Sequence, residues 1–220
     1  MSSKYKENDK KPIVLNNDNT KGKNTLTALT AVLASSSQQL RNKWCEQLLY
    51  KLYIIHNEFE NTVYNICLKN LKVDKNNNLV LINVFGSQKN NLEVPDNIKT
   101  KLDIKFVAPE LIENNEKTES GDIWAAGICI YYINNSTFPW ETANESDKNF
   151  KSWSNKGVFP KSIENPFTRA LKQMLCVAPE TRPNIKKVIR LALDTGTDKN
   201  FIGKLYSLNI LIKMQLNLNF

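Results

Sequence analysis

Three short signatures, in one fixed order, constrain this chain more than anything else in it. They are Ala108-Pro109-Glu110, then Asp122-Ile123-Trp124-Ala125-Ala126-Gly127, then Pro179-Glu180-Thr181-Arg182-Pro183. The apolar spacing between and after them predicts helices at 121–134, 145–155, 164–176 and 183–193. In the third of these, Phe167, Ala170, Leu171, Met174 and Leu175 share one face. Pro183 suits the first turn of the last, where a missing N–H costs nothing. Phe138-Pro139-Trp140 follows the second signature.

The rest of the chain is that of an ordinary soluble domain. Its 220 residues suffice for one core with tails. Hydrophobic residues make up 41% and charged residues 24%. The longest apolar run, Ala125 to Ile133, is interrupted by Gly127. It is about half of the ~18 residues that span a bilayer, so no membrane partner is expected. The charged N-terminus has no apolar stretch behind it, hence no secretory signal.

Cys45, Cys67, Cys129 and Cys176 are scattered without a Cys-x-x-Cys pair, which favours reduced, buried thiols in an intracellular protein, cytoplasmic or nuclear. His56, the sole histidine, reads as a helix-end packing residue, and no metal site is expected. A net charge of +8 permits an acidic partner or nucleic acid, but the lysines form no run of five. A solvated surface explains them better.

Residues 1–24 are polar and should be a disordered tail. Residues 25–194 read as the folded domain, opening with a weak helix over Thr25 to Ser37. Leu40, Trp44, Leu48, Leu52 and Ile55 then make one apolar stripe along a strong helix. Leu71–Val73 and Leu79–Ile82, separated by Lys75-Asn76-Asn77-Asn78, read as a β-hairpin. Asp74, Asn76 and Asn78 imitate the start of a calcium loop. Leu79 and Phe85 stand where that loop needs glycine and glutamate, so calcium is rejected. Ser87 to Phe106 reads as a long loop. In the 195–220 extension, alternation over 210–220 predicts a strand, with a degenerate tail as the equal alternative.

The ordered signatures resemble the C-terminal lobe of eukaryotic serine/threonine protein kinases. The resemblance implies a mainly α fold: the helical lobe with a short β-hairpin, over residues 38–193. It also implies that Glu110 and Arg182 form a buried ion pair, and that Asp122, at the start of the central helix carrying Trp124 and Gly127, braces the catalytic loop. Upstream, Val63-Tyr64-Asn65 occupies the place of His-Arg-Asp, so Asn65 replaces the proton-accepting aspartate and Cys67 the phosphate-contacting lysine. Asn70 aligns with a magnesium-binding asparagine. Val84-Phe85-Gly86 stands for Asp-Phe-Gly, and in the other register Asn83 takes the aspartate position.

Phosphoryl transfer is positioning and charge neutralisation around magnesium. Asn65 lacks the charge and basicity to accept a proton, Val84 has no oxygen, and Asn83 has only a neutral one. About forty residues precede the first strong helix, with Gly22 their only glycine, so an N-terminal lobe with a phosphate loop is expected to be absent. No catalytic residue is therefore expected to be intact, and no cofactor is expected.

The leading expectation is an inactive kinase-like domain that binds or scaffolds a protein partner. The family holds peptides between the activation segment and the helix near 145–155. The alternative is a divergent serine/threonine kinase using ATP and magnesium, incomplete here or completed by a partner. A decaying gene product is a third reading. Exposure of Val84 and Phe85 would promote self-association or partner binding, with the 210–220 strand as another cover.

Overall fold

Strong apolar periodicity appears as helix and turn-rich alternation as sheet in the computed structural model, which describes residues 14–15, 26–58, 61–82, 84–88, 102–114, 118–161 and 166–193. In chain order the elements begin with β1 (Val14–Leu15), β2 (Thr27–Ala28), α1 (Leu29–Leu33), α2 (Gln38–Glu58) and β3 (Asn61–Tyr64). Next come β4 (Leu71–Val73), β5 (Leu79–Leu81), β6 (Val84–Gln88) and α3 (Pro109–Asn114). The last four are α4 (Glu119–Asn135), α5 (Lys148–Lys156), α6 (Thr168–Met174) and α7 (Ile185–Leu193). Short 3-10 turns lie at Leu68–Asn70, Ile104–Phe106 and Pro179–Thr181. The chain is mainly helical, as a kinase-like helical lobe should be.

Helix α4 is the centre. It is apolar on every side, and all residues from Gly121 to Tyr131 are buried. Thr118 caps it, its Oγ1 accepting the Gly121 N–H at 3.0 Å. Ser136, at φ 57, closes its C-terminal end. The predicted stripe on α2 is real: Trp44, Leu48, Leu52 and Ile55 are buried, and α2 packs against α4 and α7.

The predicted hairpin is β4 paired antiparallel with β5, Leu71 opposite Leu81 and Val73 opposite Leu79. Its turn explains the false calcium signal. Asp74 Oδ1 accepts the N–H groups of Asn76 and Asn78, both at 2.8 Å, so the carboxylate closes the turn. Helix α2 grips this turn: Trp44 Nε1 donates to the Asn77 carbonyl at 3.1 Å, and Gln47 Oε1 accepts the Leu79 N–H at 2.7 Å.

Several expectations are corrected. Within the 1–24 tail, read as disordered, Val14–Leu15 form a strand on the edge of β6, Val14 opposite Phe85. The weak helix over 25–37 shrinks to α1, because Thr27–Ala28 pair with Val73 and Lys72 of the hairpin instead. The loop over 87–106 gives its first two residues to β6, which pairs with β3, Val63 opposite Gly86. Pro183 precedes α7 rather than entering it; Asn184 is the cap, its Oδ1 accepting the Lys187 N–H at 3.0 Å. The strand expected at 210–220, the side chains of Val84 and Phe85, and Asn83 lie outside the described residues.

Candidate functional site

The first and third signatures meet in a fully satisfied ion pair. Arg182 Nη1 and Nη2 donate to Glu110 Oε1 and Oε2 at 2.6 and 2.7 Å, a bidentate fork. Its Nε donates to the Cys176 carbonyl at 2.6 Å, Nη2 to the Val177 carbonyl at 2.9 Å, and Nη1 to the Ser120 carbonyl at 3.2 Å. The guanidinium also lies 4.8 Å from the Trp124 ring. One arginine thereby fastens α3, the start of α4 and the 176–182 turn together.

Trp124 has an aromatic wall on its other contacts: Trp140 at 5.6 Å and Phe150 at 6.3 Å between ring centroids. Trp140 is buried, which accounts for the Phe-Pro-Trp segment after α4. Gly127 marks close approach between helices. A Cβ there would lie 2.9 Å from Leu175 Cδ2 and 3.3 Å from Met174 Cβ.

Asp122 braces the loop ahead of Asn65. Its Oδ2 accepts the Val63 N–H at 2.8 Å, and His56 Nε2 lies 2.9 Å from the same oxygen. It reaches across to β3 and α2, whereas the helix-start N–H of Gly121 goes to Thr118. His56 is thus a structural partner that sequence reading placed only as packing. A single histidine at a helix end carries no signal of what it faces.

The loop itself is built from neutral groups. Asn65 takes a left-handed backbone, φ 70, which asparagine tolerates better than most residues. Its Oδ1 accepts from the Cys67 thiol at 3.3 Å, and its carbonyl accepts from Asn70 Nδ2 at 2.8 Å. Asn70 Nδ2 also reaches Cys67 Sγ at 3.3 Å. Burial pushes the Cys67 thiol above its ordinary range, so it supplies no charge. The structure brings Asn65, Asn70 and Cys67 into one bonded cluster.

Beside this loop lies a small cleft, partly open to solvent. The 65–67 loop, the 102–108 segment and the first turns of α4 form its walls. Asp103 is in it, on a stretch whose sequence showed no period. The only available signal was a carboxylate shortly before Ala-Pro-Glu.

The protein kinase domain family matches residues 3–192. The chain belongs to that family, and the match begins well before the residue 38 expected from the motifs. A Dictyostelium discoideum protein, "Probable serine/threonine-protein kinase nek2", is 26% identical over 149 residues, 65% of this chain and 35% of that protein. Serine/threonine-protein kinase SBK1 of Mus musculus is 29% identical over 101 residues, 40% of this chain and 24% of its own length. The Danio rerio SBK1 is 28% identical over 98 residues, 39% of this chain and 26% of that protein. The chain therefore spans about a third or less of the curated relatives it matches. Among the described residues, no helix is long and apolar enough to cross a membrane.

Proposed function

We propose that this chain is a protein-binding or scaffolding member of the kinase family that does not transfer phosphate. The observation that carries the reading is Asn65, a neutral amide at the proton-accepting position, with its oxygen engaged by Cys67 at 3.3 Å. In the architectural set around it, Glu110 and Arg182 keep their bidentate pair, and Asp122 Oδ2 holds the Val63 N–H. Retained framework beside altered chemistry favours binding over catalysis.

The residues do not fit magnesium. Asn70 is buried and turns its amide nitrogen onto Asn65 and Cys67. Val84 has no side-chain oxygen to offer, and a hard cation prefers carboxylates. The binding face of this reading is the one between the 102–114 segment and α5, where the family holds peptides.

A second reading, divergent serine/threonine kinase, is favoured by the names of the relatives. Thermal-shift titration separates the two. A ligand at 100 times its dissociation constant adds ~2.7 kcal/mol to stability. The expected result with millimolar ATP and magnesium is no shift, and no phosphate incorporation into generic substrates. Magnesium-dependent stabilisation by ATP would overturn the first reading in favour of the second.

A further inference from the structure

Asp103 is the one charged side chain among the described residues lining the cleft beside Asn65. Its Oδ1 accepts the Lys105 N–H at 3.2 Å, which caps the Ile104–Phe106 turn. The nearby ammonium of Lys105 is engaged elsewhere: it pairs with Glu141 and lies 4.7 Å from the Phe138 ring centroid. The rest of the lining is mainly apolar, with Ile66, Leu102, Val107 and Leu111, and Asn65 and Cys67 add neutral polar groups. Ile104 and Ile112, on the two segments that frame the cleft, are 48% and 38% exposed. The site thus combines one anionic point with apolar sides, on a chain whose net charge is +8.

We propose that this cleft takes a lysine or arginine side chain from a basic segment of a partner protein, with Asp103 as the counter-charge. The proposal rests on the protein-binding reading above. Long cationic side chains lay their methylenes along apolar walls while the head seeks an anion. A carboxylate answers such a head with a charge-assisted hydrogen bond, bidentate for arginine. A neutral apolar side chain would instead desolvate the Asp103 carboxylate without supplying a counter-charge, which is costly. An acidic one would be repelled.

The test applies the full chain to an array of short peptides. A central arginine, lysine, citrulline, glutamate or leucine is set among varied neighbours, and binding is measured by fluorescence anisotropy. Asp103→Asn is run beside it; this change keeps an oxygen for the turn and removes the charge. Arginine peptides should bind at least about tenfold more tightly than their citrulline counterparts. Asp103→Asn should erase that preference without moving the melting temperature.

Methyl chemical shifts of Ile66, Val107 and Leu111 should respond to the arginine peptide, which locates the contact even where the variant does not fold. Equal binding of arginine and citrulline overturns the proposal and leaves the protein-binding reading standing. A preference that survives in Asp103→Asn, or that moves none of those methyls, overturns it too. Silence across the whole array overturns both. A self-associated chain that Asp103→Asn returns to monomer would put a second copy in the cleft, against the partner assigned here.

Discussion

His56 Nε2, at the end of α2, and the backbone N–H of Val63 in β3 both converge on Oδ2 of Asp122, at 2.9 and 2.8 Å. One buried oxygen therefore ties two long helices to the strand that leads into Asn65. His56 Nδ1 has no partner among the described residues. The carboxylate oxygen can only accept, so Nε2 carries the proton that faces it and the imidazole donates. The loop's position is inherited from this junction.

Replacing His56 by leucine should destabilise the fold by about 1–3 kcal/mol, because Asp122 would lose a donor while staying buried. Urea denaturation reads this as a lower midpoint at unchanged slope. A midpoint equal to wild type would show that the contact contributes nothing.

Arg182 and Glu110 should be strongly coupled. Removing either leaves the other charge uncompensated, a loss of about 3–5 kcal/mol. The double-mutant cycle should give a coupling of about 0.5–3 kcal/mol. Arg182→Lys is expected to fail as well, since an ammonium cannot span both carboxylate oxygens and three carbonyls. Small, additive effects would contradict the clamp.

The clamp was legible only through the family that the ordered signatures resemble, and the central helix through its apolar spacing. The α2 stripe and the 71–81 hairpin were legible through periodicity and turn chemistry. Other features depend on which surfaces meet in three dimensions. Val14–Leu15 is too short to stand out in a polar tail, yet β6 offers it an edge. His56 and Asp103 carry no local pattern; folding alone brings them to Asp122 and to the cleft. At α7, Pro183 and Asn184 are both start signals, and the asparagine side chain decided the boundary.

Gly127→Ala isolates the reason for the glycine in the second signature. An alanine gains about 0.5–1 kcal/mol in a helix interior. Its Cβ would meet Leu175 Cγ at 3.2 Å as well as Met174 Cβ at 3.3 Å, and both neighbours are fully buried. Overpacking of about 1–3 kcal/mol should win. Leu175→Val in the same chain should restore part of the loss, as read by thermal melting. If Gly127→Ala raises the melting temperature, α4 and α6 are not in tight contact there.

Lys51, on the buried side of α2, gives a pH dependence of unusual sign. It is 5% exposed, and burial pulls its pKa down from 10.5 to about 8, with Asp74 opposing. The unfolded chain holds its proton to ~10.4. Between these values the unfolded state binds more protons, so this group's contribution to stability rises with pH. Below about pH 8 both states are charged, and the whole penalty of burying the ammonium remains. The thiols of Cys45, Cys67 and Cys129, pushed up by burial, act in the opposite sense as the unfolded chain ionises. The quantity to measure is therefore the difference between wild type and Lys51→Met. At pH ~7 the variant should be more stable by about 1–3 kcal/mol. That advantage should shrink steadily towards pH ~9.5, as the wild-type lysine becomes neutral in the folded state. Urea midpoints at three pH values between these limits decide it. A variant less stable than wild type at neutral pH would mean that the ammonium is compensated inside the fold.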